Sequence, residues 1–288
     1  MTEPKVRLAR KSDKEAVLAF CQILPNNQKD YIPLVWDKWI RDPSGCIFVV
    51  TIDDVPVAIE RVVLMSDSEA WWEGLRVSPQ YRGQGLSKIL ELTINQYLVE
   101  SGINISRCMI LASNEIMADI MSKRGRKKVG NFDFYETDSI NSPSTQLIKL
   151  NSNDLDYVCS LVKNSNDLTL RQEIYVSYGG KWQEITVKEL KKRLSLGKIW
   201  GLKKDEKLLS IAIESYSENS NEKFWIGYVN GTKNSLPTLL YELRKLAHSL
   251  GYTLVGGFFP RSEVLSVSFD LANYIKINQR WVYEWKNS

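Results

Sequence analysis

The stretch that decides the fold is Val77-Ser78-Pro79-Gln80-Tyr81-Arg82-Gly83-Gln84-Gly85-Leu86-Ser87. It leaves a β-rich run, breaks at Pro79, turns through two glycines, and enters an amphipathic helix. Leu86, Ile89, Leu90, Thr93, Ile94, Tyr97 and Leu98 form the apolar stripe of that helix. A helix N-terminus exposes unpaired N–H groups and a partial positive charge. Glycines let the backbone curl so that successive N–H groups face one space, which suits a pyrophosphate. Arg82 adds charge beside it. The Lys-Ser/Thr of a phosphate-binding P-loop is absent, and so is a ribose-binding acid after a glycine fingerprint.

Upstream, Val6 and Leu8 mark a short strand, and Ser12 with Glu15 reads as a capping box. A helix follows through Ala16, Ala19, Phe20, Ile23 and Leu24, ending at Pro25-Asn26-Asn27. A second helix is expected over 31–41. Three strands, 46–52, 55–65 and 70–77, make an antiparallel meander. Downstream, 108–112 is a strand, Asn114 or Ser113 caps a helix running to about Lys123, and 129–136 is a further strand. The polar segment 137–145, with Pro143, sets the expected boundary between domains 1–143 and 144–288.

The second half echoes the first. Ile199-Trp200 stands 152 residues after Ile47-Phe48, and Asp205-Glu206 the same distance after Asp53-Asp54. Trp225 and Gly227 follow Trp72 and Gly74 by 153. Helix, strand, helix and a last strand, 280–285, follow in the same order, so the chain reads as a tandem duplication of an α/β (α+β) unit. The glycine loop is not repeated: its counterpart, 229–235, holds one glycine and no arginine. The second copy is therefore expected to be degenerate.

Gln80, Gly83 and Gly85 match the Gln/Arg-x-x-Gly-x-Gly/Ala signature, and over about residues 5–136 the chain resembles the GNAT (GCN5-related) N-acetyltransferase superfamily. The resemblance implies tandem GNAT-like mixed sheets flanked by helices, and acetyl-CoA as donor. It implies that Gln80, Tyr81, Arg82, Gly83, Gln84, Gly85, Leu86 and Ser87 hold the pyrophosphate, and that Leu75, Arg76 and Val77 run beside the pantetheine arm, with Asn114 also on the cofactor side. Relatives often carry a Tyr seven residues after that Asn; position 121 is Met. Glu73-Gly74-Leu75-Arg76-Val77 and Asp30-Tyr31-Ile32-Pro33 with Trp39-Ile40 also resemble the subgroup containing histidine N-acetyltransferase, which points to a free amino acid or similar small amine as acceptor. A final strand usual in the family is hard to find after Glu136; residues 280–285 are a candidate to supply it.

Amine acetylation needs a base, and the candidate carboxylates are Glu73, Glu60 and Glu69. Strand alternation puts Trp71, Glu73 and Leu75 on one face, unless a bulge reverses it. Glu73 is equally readable as a partner of Arg61 or Arg76, and those arginines as holders of a substrate carboxylate or as solvated surface. Tyr31, Trp36, Arg61 and Trp71 are the candidates for the acceptor wall; a core stripe explains the aromatic ones as well. Cys108 admits an acyl-enzyme reading, but Met109 and Ile110 beside it favour a buried thiol.

With 43% hydrophobic and 25% charged residues, the composition is that of a globular protein. The net charge of +4 is dispersed, apart from Lys123-Arg124 and Arg126-Lys127-Lys128, so nucleic acid is not expected as a partner. One histidine and four scattered cysteines give no metal site. No signal peptide or membrane span is read, so a cytoplasmic protein is expected, as monomer or homodimer. The function expected is acetyl transfer to a small primary amine. The rivals are a protein N-terminal or lysine acetyltransferase and a non-catalytic acyl-CoA sensor or scaffold.

Overall fold

The computed structural model describes residues 3–21, 29–142, 145–163, 174–205, 207–216 and 222–286. The chain divides into two compact units: Met1–Met109 with Gly125–Lys127 and Glu284–Ser288, and Ile110–Arg124 with Lys128–Tyr283. The units therefore do not divide at 143/144, where composition alone places the boundary.

The first unit runs β1 (Lys5–Leu8), α1 (Lys14–Phe20), α2 (Ile32–Trp39), β2 (Gly45–Ile52), β3 (Val55–Leu64), β4 (Glu69–Val77), α3 (Leu86–Glu100) and β5 (Ile105–Leu111), whose last two residues count with the second. Its strands lie in the order β1-β2-β3-β4-β5, antiparallel except for β4 and β5. The expected meander is present. The capping box at Ser12 and Glu15 is not. Asp13 instead accepts from the Arg10 N–H at 2.6 Å and from Arg7 at 2.7 and 2.9 Å, so the ion pair sets where α1 begins. The expected end of that helix, at residues 23–27, lies outside the described residues.

Each face of this sheet has its own core. Leu86, Leu90, Ile94 and Leu98 of α3 pack on Phe48, Val50, Ala58, Val62 and Trp72. On the opposite face α1 and α2 bring Val17, Ile32, Val35, Trp36 and Trp39 onto Ile47, Val49 and Ile59. Burying such side chains is worth roughly 1.5–3 kcal/mol each, so the two clusters fix β3 and β4 as a rigid platform. Arg126, read from sequence as part of a basic cluster, is buried here. It pairs with Glu91 of α3 at 3.2 Å and lies over the Trp72 ring at 4.6 Å.

The second unit runs α4 (Glu115–Lys123), β6 (Lys127–Asp138), β7 (Ile148–Lys149), α5 (Leu155–Lys163), β8 (Ile174–Tyr178), β9 (Lys181–Glu184), α6 (Val187–Ser195), β10 (Ile199–Lys204), β11 (Lys207–Glu214), β12 (Lys223–Gly231), α7 (Leu236–Ser249), β13 (Leu254–Pro260), α8 (Glu263–Leu271) and β14 (Ile275–Lys286). The strands lie in the order β14-β6-β13-β12-β11-β10-β7, with β8 and β9 as a separate hairpin. The element order of the first half recurs: the sequence β10-β11-β12-α7-β13-α8-β14 repeats β2-β3-β4-α3-β5-α4-β6. Yet β6, from the first half of the sequence, pairs antiparallel with β13 of the second. Conversely, Glu284, near the end of the chain, counts with the first unit, where it pairs with Arg107 of β5. Each compact unit thus takes a segment from the other half of the sequence. No helix of the described residues is long and apolar enough to cross a membrane.

Candidate active site

β4 pairs with β3 along its whole length, from Ala58↔Val77 to Leu64↔Ala70. Its pairing with β5 covers only Glu69–Trp71. Beyond Trp71 no strand among the described residues pairs with the β5-side edge of β4, and main-chain groups there are available to an extended ligand arm. Between Ile59 and Arg61 the register slips by one residue, so Gly74 and Leu75 together oppose Glu60. Gly74 has φ +75, which glycine adopts without strain, and a Cβ there would meet the Trp39 ring at 2.8 Å.

The bulge reverses the alternation. Leu75 and Val77 pack with Trp72 on the α3 face, whereas Glu73 reaches the α2 face and accepts a hydrogen bond from Arg61 Nη1. The same guanidinium donates to Asp42 and lies 4.9 Å over the Trp39 ring. Arg61 is 2% exposed and has two carboxylates around it, so it serves as an internal cation rather than as a holder of a substrate carboxylate. Arg76 is likewise engaged. It grips Asp30 at 2.6 and 3.0 Å and donates to the Leu75 carbonyl at 2.9 Å, while Asp30 accepts from the Ile32 N–H at 3.1 Å. The start of α2 is thereby tied to β4. Asp30 and Asp42 as ion-pair partners were not found by sequence reasoning; both are far along the chain from their arginines and carry no spacing signal.

The other candidates fall in distinct places. Glu69 is buried and pairs with Arg107, which also holds Glu284 at 2.8 Å. Glu60 is buried opposite the bulge. Trp36 is 1% exposed inside the α1–α2 core, and Trp71 is also buried, so neither offers an exposed wall. Tyr31, at 39% exposure, does. Its ring meets Trp39 edge-on at 5.8 Å and sits under Arg76 at 5.4 Å. Desolvation, reinforced by the Glu73 charge, pushes its phenol up to about 12. Burial pushes the Cys108 thiol up to about 11. Met121 is buried, and Asn114 caps α4 by accepting from the Met117 N–H at 3.2 Å; both belong to the second unit.

Past Val77 the chain makes one 3₁₀ turn, Pro79–Tyr81, and then a loop through Gly83 at φ +77 and Gly85 at φ +78. A Cβ at either glycine would meet nothing within 4 Å. The first bonds of α3 run from the Lys88 and Ile89 N–H groups to the Gly85 carbonyl, so the N–H groups ahead of them face away from the helix body. The N-cap residue, Gly85, has no side chain to cap this terminus. The Arg82 Nε donates to the Val77 carbonyl at 3.3 Å, keeping its charge at the junction of strand and loop. An open strand edge thus leads straight to an uncapped, glycine-lined helix N-terminus, which fits a pyrophosphate with an extended arm.

This constellation has known relatives. Residues 14–125 match the acetyltransferase (GNAT) family. This segment, less than half of the chain, is similar to the GNAT acetyltransferases. Over 84 residues it is 30% identical to histidine N-acetyltransferase of Oreochromis niloticus, covering 29% of this chain and 25% of that protein. Over 81 residues it is 30% identical to the probable N-acetyltransferase 16 of Homo sapiens, covering 27% and 22%. The alignments thus span about a quarter of the curated relatives. A GCN5-related N-acetyltransferase from Sphaerobacter thermophilus superposes over 99% of this chain and 97% of its own, with TM-score 0.64 and 12% identity. A tandem GNAT protein from the clavulanic acid biosynthesis pathway superposes over 99% and 98%, with TM-score 0.56 and 11% identity. At these identities the likeness is one of fold: a mixed α/β tandem GNAT architecture beyond the matched GNAT domain itself.

The second unit keeps the architecture of the GNAT domain but not its openings. Its register also slips between Ile213 and Glu214, leaving Gly227 as the extra residue. There a Cβ would lie 2.0 Å from the Val176 carbonyl of β8, so the hairpin backbone lies against the bulge. Ahead of α7 the turn at Thr232 and Ser235 bonds to itself, and Pro237 in the helix's first turn has no N–H to offer an anion. Ser235 Oγ accepts from the Thr232 N–H at 2.9 Å, and Thr232 Oγ1 accepts from the Ser235 N–H at 3.2 Å.

Proposed function

We propose that the GNAT domain transfers the acetyl group of acetyl-CoA directly to the primary amine of a small molecule. The observation that carries this reading is the continuity of the open β4 edge with the uncapped N-terminus of α3. The backbone of Gln80–Ser87 holds the pyrophosphate, with Arg82 adding charge, and Leu75 and Val77 offer main-chain groups to the pantetheine arm. The bound thioester supplies an activated acyl group.

Glu73 acts as the base, directly or through water, and takes the proton that the acceptor ammonium must lose. Arg61 holds that carboxylate in place. A β4 N–H between Leu75 and Val77 donates to the carbonyl oxygen as it gains charge. Tyr31 forms the exposed aromatic wall on the acceptor side. With methionine at 121, the departing thiolate takes its proton from solvent or from the amine.

The test is free-thiol release from acetyl-CoA over a panel of amino acids, polyamines and peptides, with Glu73→Gln alongside. Turnover on a small amine, lost in Glu73→Gln while acetyl-CoA still binds, supports the reading. Turnover on peptides alone points to a protein acceptor. Binding without turnover on anything points to the acyl-CoA sensor, which methionine in place of tyrosine at 121 favours, or to a protein acceptor outside the panel.

A further inference from the structure

Tyr135, Phe224, Ile226, Val255 and Phe259 of the second unit's sheet pack into the core with α7 and α8. The alternate residues turn to the other face and build an aromatic floor. Phe134 lies 4.8 Å from Phe258 and stacks on Trp225 at 5.7 Å, and Trp182 of β9 closes on Phe258 at 5.2 Å. Two cations stand over this floor. Lys223 lies over Phe134 and Trp225 at 4.9 and 4.6 Å, and it is neutralised by Glu136. Arg280 of β14 lies 5.9 Å over Phe258.

Arg280 differs from the four arginines placed against carboxylates above. Arg61, Arg76, Arg107 and Arg126 each hold a carboxylate. Among the described residues the side chain of Arg280 makes one hydrogen bond, from Nη1 to its neighbour's carbonyl, Gln279, at 3.3 Å, and no carboxylate pairs with it. It is half-buried, and desolvation lowers its pKa from the usual arginine range. A guanidinium taken partly out of water without a counter-ion is unfavourable, and a carboxylate satisfies it in a two-pronged geometry. Asn278, two residues earlier and on the same side of β14 by strand alternation, has a buried Oδ1 with no hydrogen-bond partner.

We propose that Arg280, Asn278 and the Phe134–Phe258–Trp225 floor form a binding site for a small carboxylate with a flat apolar body. The guanidinium receives the carboxylate, the Asn278 amide a second polar group, and the half-buried Phe134 and Trp225 rings, backed by the buried Phe258, the apolar part. The site lies wholly within the second unit, and its occupancy does not depend on acetyl transfer.

The experiment is calorimetric titration of the full-length protein with phenylacetate and L-phenylalanine, against uncharged phenylacetamide and L-phenylalaninamide. The wild type is expected to bind the carboxylates at least about tenfold more tightly than the amides, a preference lost in Arg280→Gln and partly kept in Arg280→Lys. Without ligand, Arg280→Gln is expected to melt at or above the wild-type temperature, because the replacement removes an unpaired charge. Failure of both carboxylates to bind the wild type overturns the proposal. So does an unchanged preference in Arg280→Gln, or a lowered melting temperature in that variant, which would mark Arg280 as structural.

Discussion

Glu73 and Leu75 stand two residues apart on β4 and point to opposite faces of the sheet. In a regular strand they would share a face. The extra residue at Gly74 separates the chemistry from the packing: Leu75 stays in the α3 core, and Glu73 turns to Arg61 on the α2 side. Gly74→Ala places a Cβ at φ +75 and against Trp39. The expected cost is about 1–3 kcal/mol, read as a lower urea midpoint, together with loss of acetyl transfer.

Glu73→Gln keeps the shape of the side chain and removes its basicity. A drop in kcat/KM of about 10²–10⁴ is expected, with acetyl-CoA affinity unchanged, because the residue lies off the cofactor loop. Steady-state kinetics beside a binding titration checks both halves. An equal fall in affinity would place Glu73 in cofactor binding instead.

Arg107 is buried between Glu69 and Glu284. Arg107→Met leaves two buried carboxylates facing each other, and a loss of about 3–5 kcal/mol is expected in urea denaturation. Adding Glu69→Gln and Glu284→Gln should return much of it. A fragment ending at residue 143 lacks Glu284 and the partners of β6, so it is expected to be insoluble; a folded, soluble fragment would contradict this account of the first unit.

The Cys108 thiol, at about 11, is ionised in only about one molecule in a thousand at pH 8. Native protein should therefore resist iodoacetamide at this position, as mapped by peptide mass spectrometry. Cys108→Ala should keep its activity. An acetylated Cys108 trapped after mixing with acetyl-CoA would instead establish a ping-pong route.

The strand, loop and helix of residues 70–98 were legible because each carries a local signal: alternation, Pro79, two glycines and a stripe at helical spacing. The tandem order was legible from Trp72 and Gly74 recurring as Trp225 and Gly227. The division into units was not. Pro143 marks the join of two sequence halves, but β6 finds its partner in β13, and strand periodicity does not name the strand that pairs with it. Gly179-Gly180, both at positive φ, marks the hairpin between β8 and β9, a turn signal that sequence reasoning left unused. The ion pairs Arg61–Glu73 and Arg76–Asp30 depend on the bulge at Gly74, so the faces of these side chains followed only from the register.

The most direct test of the central claim is calorimetric titration of acetyl-CoA into the wild type and Gly85→Val. At Gly85, φ is +78 and a Cβ projects into open space, so the substitution strains the cradle without disturbing the core. The account predicts one site per chain, weakened at least about tenfold in Gly85→Val. Two sites per chain, or one that Gly85→Val leaves intact, would contradict it.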